Sequence, residues 1–119
     1  MTVQRLHVEK RFSEIAISGN LVHLAGQLAT DLSVDIKGQT QQTLDIIDQF
    51  LADAGTDKSH IMSVLIHIKD IENDYAGMNE VWDAWCADIQ ALPRTCVEAK
   101  MYLPEVLVEM TVVAVRPEK

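Results

Sequence analysis

The sequence has little cysteine, little positive charge and no long apolar run. Its two cysteines, Cys86 and Cys96, show neither CxxC spacing nor the number that a disulfide scaffold needs. A reduced, cytoplasmic protein is the simplest reading, with an organelle as the alternative. No stretch of about 18 apolar residues is present, so no bilayer-spanning segment is expected. Met1 to Lys10 carries Arg5, His7, Glu9 and Lys10 and lacks an apolar h-region and a cleavage site, so no secretory signal is expected. Ten Lys+Arg stand against 18 Asp+Glu, which leaves a formal net charge of −8 and a pI near 4.8. Such a chain repels phosphate backbones and anionic lipid surfaces, so neither nucleic acid nor membrane is an expected partner.

Several familiar chemical constellations are also missing. His7, His23, His60 and His67 show no H-x-x-x-H or H-E-x-x-H pattern. His23 and His67 fall on strands expected to be adjacent, and both read as satisfied or solvent-facing rather than as metal ligands. There is no P-loop, Rossmann glycine fingerprint or G-x-S-x-G elbow. Asp70, Glu72 and Asp74 lack the central glycine and terminal glutamate of a calcium loop. Neither a metal nor a cofactor is therefore expected.

What is present is a small folded domain. The 119 residues are 48% hydrophobic and 24% charged, with no linker, low-complexity tract or internal repeat. That composition suits one domain over 1–119 with a modest core. Strands are expected at Val3 to Val8, Glu14 to Ser18 and Leu21 to Ala25, the last two joined by a Gly19-Asn20 turn. Thr30 to Gln39 reads as a mobile loop. A helix from about Thr40 to Ala54 carries Leu44, Ile47, Phe50, Leu51 and Ala54 on one stripe, with Gly55 as its C-terminal stop. Ile61 to Lys69 reads as a strand. A second helix, about Tyr75 to Ile89, presents Met78, Val81, Trp82, Trp85 and Ile89, with Asn73 or Asp74 as its cap. Trp82 and Trp85 read as core anchors, and Cys86 as ordinary core. Strands at Thr95 to Leu103 and Val106 to Val115 finish a βββαβαββ order. Two amphipathic helices on one sheet face make a two-layer α+β domain.

The last strand carries more apolar surface than such a domain can cover. Successive strand residues point to opposite faces. Val106, Val108, Met110, Val112 and Ala114 form one apolar face. Leu107, Glu109, Thr111, Val113 and Val115 form another that is apolar apart from Glu109 and Thr111. Two helices cover one face only, so the other calls for a second copy of the chain, and a homo-oligomer is expected, with a locally sticky but monomeric sheet as the alternative. Glu109, flanked by apolar neighbours, needs a partner, water or a raised pKa. On the preceding strand Arg94, Cys96, Glu98 and Lys100 share a face, opposite Thr95, Val97, Ala99, Met101 and Leu103. Pairing of the last two strands as a hairpin through Leu103-Pro104-Glu105 would put Arg94 beyond Glu109, towards Val115 and Arg116. Arg94 and Glu109 would then meet only through a loop or across a subunit boundary.

These residues carry a resemblance. Leu92-Pro93-Arg94-Thr95-Cys96-Val97-Glu98, then Leu103-Pro104 and Val108-Glu109-Met110, resemble the C-terminal signature of the RidA/YjgF (reactive intermediate deaminase) family. Gly19-Asn20-Leu21, Gly26-Gln27, Gln42-Thr43-Leu44, Asn73-Asp74-Tyr75, Met78-Asn79 and Trp82 agree with it, so the resemblance runs from about Arg11 to Arg116. It implies a chorismate-mutase-like fold assembled as a homotrimer, with clefts between subunits. It also implies hydrolysis of enamine/imine products of amino-acid dehydratases to a 2-keto acid and ammonia.

By the same resemblance, Arg94 holds the substrate carboxylate, a task that suits a guanidinium fork. The alternative is a structural ion pair. Glu109 stands near the attacking water, where one carboxyl can serve both proton transfers of imine hydrolysis. Its alternative is a buried structural carboxylate. Cys96 matches a pocket-lining residue, with an inert core thiol as the alternative, since no His/Asp arrangement activates it. Asn79 matches a cleft asparagine, or is a solvated amide. Phe12 replaces a frequent tyrosine and Ala25 a frequent serine, so two hydroxyls that could contact substrate are gone. Those losses favour a second function, a non-catalytic or regulatory trimer that binds a carboxylate metabolite, while Arg94 with Glu109 favours the deaminase. Ribonuclease action conflicts with the acidic pI, and chorismate-mutase chemistry has no residue-level support.

Overall fold

The computed structural model describes residues 2–117. Three strands come first: β1 (Gln4–Val8), β2 (Ser13–Ser18) and β3 (Leu21–Leu24). They form an antiparallel meander, with Ser18 paired to Leu21 across the Gly19-Asn20 turn. Helix α1 (Ile36–Asp53) follows, then a short 3-10 turn at Lys58–His60 and strand β4 (Ile61–Ile68). Helix α2 (Ile71–Trp85) leads to β5 (Arg94–Glu98) and β6 (Val108–Val115). The order is the expected βββαβαββ. Among the described residues, no helix is long and apolar enough to cross a membrane.

Both helices begin earlier than their hydrophobic stripes. Asp35 caps α1, its carboxylate accepting from Gly38 N at 2.9 Å. The helix thus takes over the end of the segment expected to be a mobile loop. The remainder is tethered: buried Gln39 donates through Nε2 to the carbonyls of Leu32, Val34 and Glu105, and its Oε1 accepts from Leu107 N. Asp70, rather than Asn73 or Asp74, caps α2, its side chain accepting from Asn73 N. A side-chain acceptor at the N-cap satisfies a backbone N–H that the helix itself leaves unpaired. At the other end of α1, Gly55 takes φ +84°, a left-handed stop that a Cβ would strain. Helix α2 stops at Trp85, so Ile89 lies outside it.

The strand order is β1-β2-β3-β6-β4-β5. The hairpin expected between the last two strands does not exist, because β4 lies between them. It pairs in parallel with β5 and antiparallel with β6. Parallel pairing needs a long crossover, which α2 supplies between β4 and β5. Strand β5 ends at Glu98, and residues 99–107 make a loop rather than a tight turn. The same order separates His23 from His67, since β6 lies between β3 and β4.

The helices bury one face of the sheet. Leu44, Ile47 and Leu51 of α1 and Met78, Trp82 and Trp85 of α2 pack on Val22, Val64, Ile66, Met110 and Val112. The face of β6 assigned to the core is fully buried, from Val108 to Ala114, and Val106 just before the strand is buried too. Among the described residues, no helix packs on the other face. Leu65 and Val97 are 39% and 41% exposed there, beside half-buried Thr111, Val113 and Val115.

Leu44 has no solvent exposure and sits where α1 meets the sheet. Leu44→Ala is expected to cost about 2–5 kcal/mol, the usual price of a buried cavity. Urea denaturation at fixed protein concentration measures it.

Candidate functional site

Two groupings contain the residues singled out in the sequence, and they lie on opposite sides of the sheet. Arg94 pairs with Val64 and Cys96 with Ile66, so both side chains are on the helix side of edge strand β5. Glu109 pairs with His67, and His67 with Val97, on the uncovered side. Arg94 is level with Val64, which pairs with Val112, so it does lie beyond Glu109 towards Val115, with β4 rather than a hairpin setting that level. The structure therefore does not bring Arg94 and Glu109 together within one chain.

Arg94 reaches across to α2. Its Nη2 donates to Asn79 Oδ1 at 2.7 Å and to Tyr75 Oη at 3.1 Å. The guanidinium carbon lies 5.2 Å from the Trp82 ring centroid and 5.7 Å from that of Tyr75. Those contacts hold the fork in place by hydrogen bonding and cation–π attraction. Every partner is neutral. No carboxylate lies within 4.0 Å of this half-buried guanidinium among the described residues. The structural ion pair considered for Arg94 is thus not formed, and Asn79 is an Arg94 ligand rather than a free surface amide. Tyr75 was legible only as part of a longer motif.

Cys96 packs half-buried against the core. Burial pushes its thiol up from the ordinary value, and the nearby Arg94 charge only partly offsets this. A raised thiol has less thiolate at neutral pH, the opposite of what a nucleophile needs. Cys86, next to the end of α2, is likewise raised by burial.

On the uncovered side, the Glu109 side chain is one-third exposed, and Oε1 lies 3.9 Å from His67 Nδ1. The chain after β3 runs against it. A Cβ at position 26 would come within 2.8 Å of Glu109 Cδ, so only glycine leaves the carboxyl its place. Gln27 fixes this segment by exchanging backbone hydrogen bonds with Met110, at 2.8 and 2.9 Å. One cavity borders the carboxyl, and a second lies beyond Gly26. The first, of about 300 Å³, is lined by His67, Lys100, Tyr102 and Glu109. The other, of about 550 Å³, is lined by Phe12, Gly26, Gln27 and Tyr102. Tyr102 borders both and is a prominent exposed aromatic. Ala25 immediately precedes Gly26, and its N–H is tied to the Glu14 carbonyl. His67, Lys100 and Tyr102 were missed as site residues, because nothing local marks a strand histidine or a loop tyrosine as facing a carboxylate. No group of His, Cys, Asp or Glu able to hold a metal ion occurs among the described residues.

Comparison with known proteins matches residues 2–116 to the family model described as Endoribonuclease L-PSP. A RutC family protein of Haemophilus ducreyi is 41% identical, over 94% of this chain and 95% of its own length. The solved structure of a YjgF family member from Neisseria meningitidis superimposes with a TM-score of 0.94 at 35% identity, covering 100% of this chain and 98% of the other. The chain belongs to the RidA/YjgF family. Within it, the Escherichia coli protein named 2-iminobutanoate/2-iminopropanoate deaminase is 28% identical, over 82% of this chain and 81% of its own. The RidA/YjgF signature thus falls on both sides of the sheet, with Arg94 and Cys96 on one and Glu109 on the other.

Iodoacetamide alkylation of Cys96 at pH 8 is expected to be slower than that of free cysteine and to quicken as pH rises. Peptide mass spectrometry over time measures it. Alkylation faster than free cysteine would show an activated thiol instead.

Proposed function

We propose that this protein is a deaminase that hydrolyses reactive enamine/imine intermediates of the 2-aminoacrylate or 2-iminopropanoate type to a 2-keto acid and ammonia. The observation that carries the reading is Arg94: a half-buried guanidinium held by Tyr75 and Asn79, with no carboxylate beside it among the described residues. Both hydrogen bonds use Nη2, which leaves the N–H groups of Nη1 and Nε free to donate to a carboxylate.

Glu109 is the proton-transfer group. The enamine tautomerises to an imine, whose nitrogen takes a proton. Water then adds its oxygen to the imine carbon as Glu109 accepts the water's proton. The resulting carbinolamine loses its C–N bond, nitrogen departs as ammonia, and the carbon becomes a ketone. A single carboxyl that accepts a proton and returns it serves both halves. No cofactor enters, since water is the only co-reactant.

Arg94 and Glu109 lie on opposite sheet faces, so the reaction requires a cleft between protomers, with Arg94 from one and Glu109 from another. A homotrimer with the uncovered apolar faces turned inwards supplies it. Cys96, Phe12 and Ala25 then border the cleft and shape its fit to the substrate. Two free thiols suit a cytoplasmic setting. A second reading, a carboxylate-binding trimer without turnover, is favoured by Phe12, which lines its cavity without a hydroxyl.

Purified protein is expected to speed ammonia release from freshly generated 2-aminoacrylate, and Arg94→Ala to abolish the gain. Binding of a 2-keto acid without any acceleration would establish the second reading. Light scattering is expected to give a particle three times the 13.3 kDa chain. A monomer would remove the shared cleft.

A further inference from the structure

Among the described residues, one buried side-chain nitrogen or oxygen has no hydrogen-bond partner: Nδ1 of His67. A buried polar atom without a partner calls for a physical reason. Its surroundings supply one. His67 stands directly opposite Glu109 in the register of β4 and β6. Nδ1 lies 3.9 Å from Glu109 Oε1, about 1 Å beyond a good N–H···O hydrogen bond. The other carboxyl oxygen, Oε2, lies on the Gly26 side, 3.0 Å from where a Cβ would stand. The carboxyl is thus enclosed between a backbone segment and an imidazole. Lys100 and Tyr102 face the same cavity, but neither makes a recorded ion pair or side-chain hydrogen bond with Glu109.

We propose that His67 is a positioning residue for Glu109: in the assembled protein its Nδ1–H donates a hydrogen bond to Oε1 and fixes the plane of the carboxyl. The inference rests on the proton-transfer role given to Glu109 above. A carboxyl free to rotate presents its lone pairs to the water in only part of its orientations. One directional donor on Oε1 removes that freedom and leaves Oε2 to handle the proton. Closing the remaining gap of about 1 Å satisfies the orphaned nitrogen. The imidazole touches no reacting atom in this scheme. An apolar ring at position 67 would fill the same space on the uncovered face but could not orient the carboxyl.

The test uses the full chain and 2-aminoacrylate generated in the assay. His67→Phe keeps the ring and removes the donor, and it is expected to lower kcat at least about tenfold, with KM changed less than about twofold. His67→Asn places an amide N–H near the position of Nδ1 and is expected to recover most of the loss. Wild-type kcat in His67→Phe, or a loss that His67→Asn does not recover, overturns the proposal. Circular dichroism of each variant separates this effect from misfolding. A measurement without turnover stands beside it. Long-range 1H–15N spectra of labelled protein are expected to show the His67 proton on Nδ1, with a signal that moves in Glu109→Ala. A proton on Nε2 and no response to Glu109→Ala overturns the pair. If wild-type protein hydrolyses no imine, the deaminase reading falls, and the spectrum still decides whether His67 holds Glu109.

Discussion

Strand β6 pairs on one side with β3 and on the other with β4, and everything else follows from its having two faces that do different work. Val108, Met110, Val112 and Ala114 go under the helices and are fully buried. The alternate residues remain on a surface that the chain cannot cover with two helices. Burying apolar area is the main favourable term in folding and in association, so a surface of this kind stays incomplete until something packs on it. Glu109 is set into that surface. Its environment in the single chain is therefore an intermediate one, part-buried and beside an open cavity.

The strand order gives the chemistry its form. With β4 between β5 and β6, the guanidinium and the carboxylate are separated by the thickness of the sheet. One chain cannot bring them to one substrate, however its loops move. The same separation keeps an Arg–Glu ion pair from forming inside a protomer, where it would neutralise both groups. Each is left with neutral or weakly placed neighbours: Tyr75 and Asn79 for Arg94, His67 and Gly26 for Glu109. A site divided in this way leaves the two charges apart within the chain, each without the other as a partner.

Much of this was legible in the residues. Strand alternation placed Met110 inward and Glu109 outward, and it put Arg94 and Cys96 on one face of β5. The stripe of Leu44, Ile47 and Leu51 located the body of α1, and Gly55 its end. The helix starts were less legible, because Asp35 and Asp70 act through side-chain geometry that composition does not display. The supposed hairpin at Leu103-Pro104-Glu105 failed for a deeper reason. A proline near a turn is a local signal, whereas the choice of β4 as partner for both strands depends on contacts between residues far apart in the chain.

The sequence by itself determined the kinds of elements, their order, which residues face together on each strand, and the family to which the motif points. Those properties are local, set by side-chain period and by backbone preference. Only the tertiary structure decided that β4 separates β5 from β6, that Tyr75 and Asn79 hold Arg94, and that His67 stands against Glu109 with a nitrogen left unpartnered. Those are outcomes of non-local packing, in which segments that share no sequence neighbourhood compete for the same partner, and the winning arrangement is the one that buries the most apolar surface with its hydrogen bonds made.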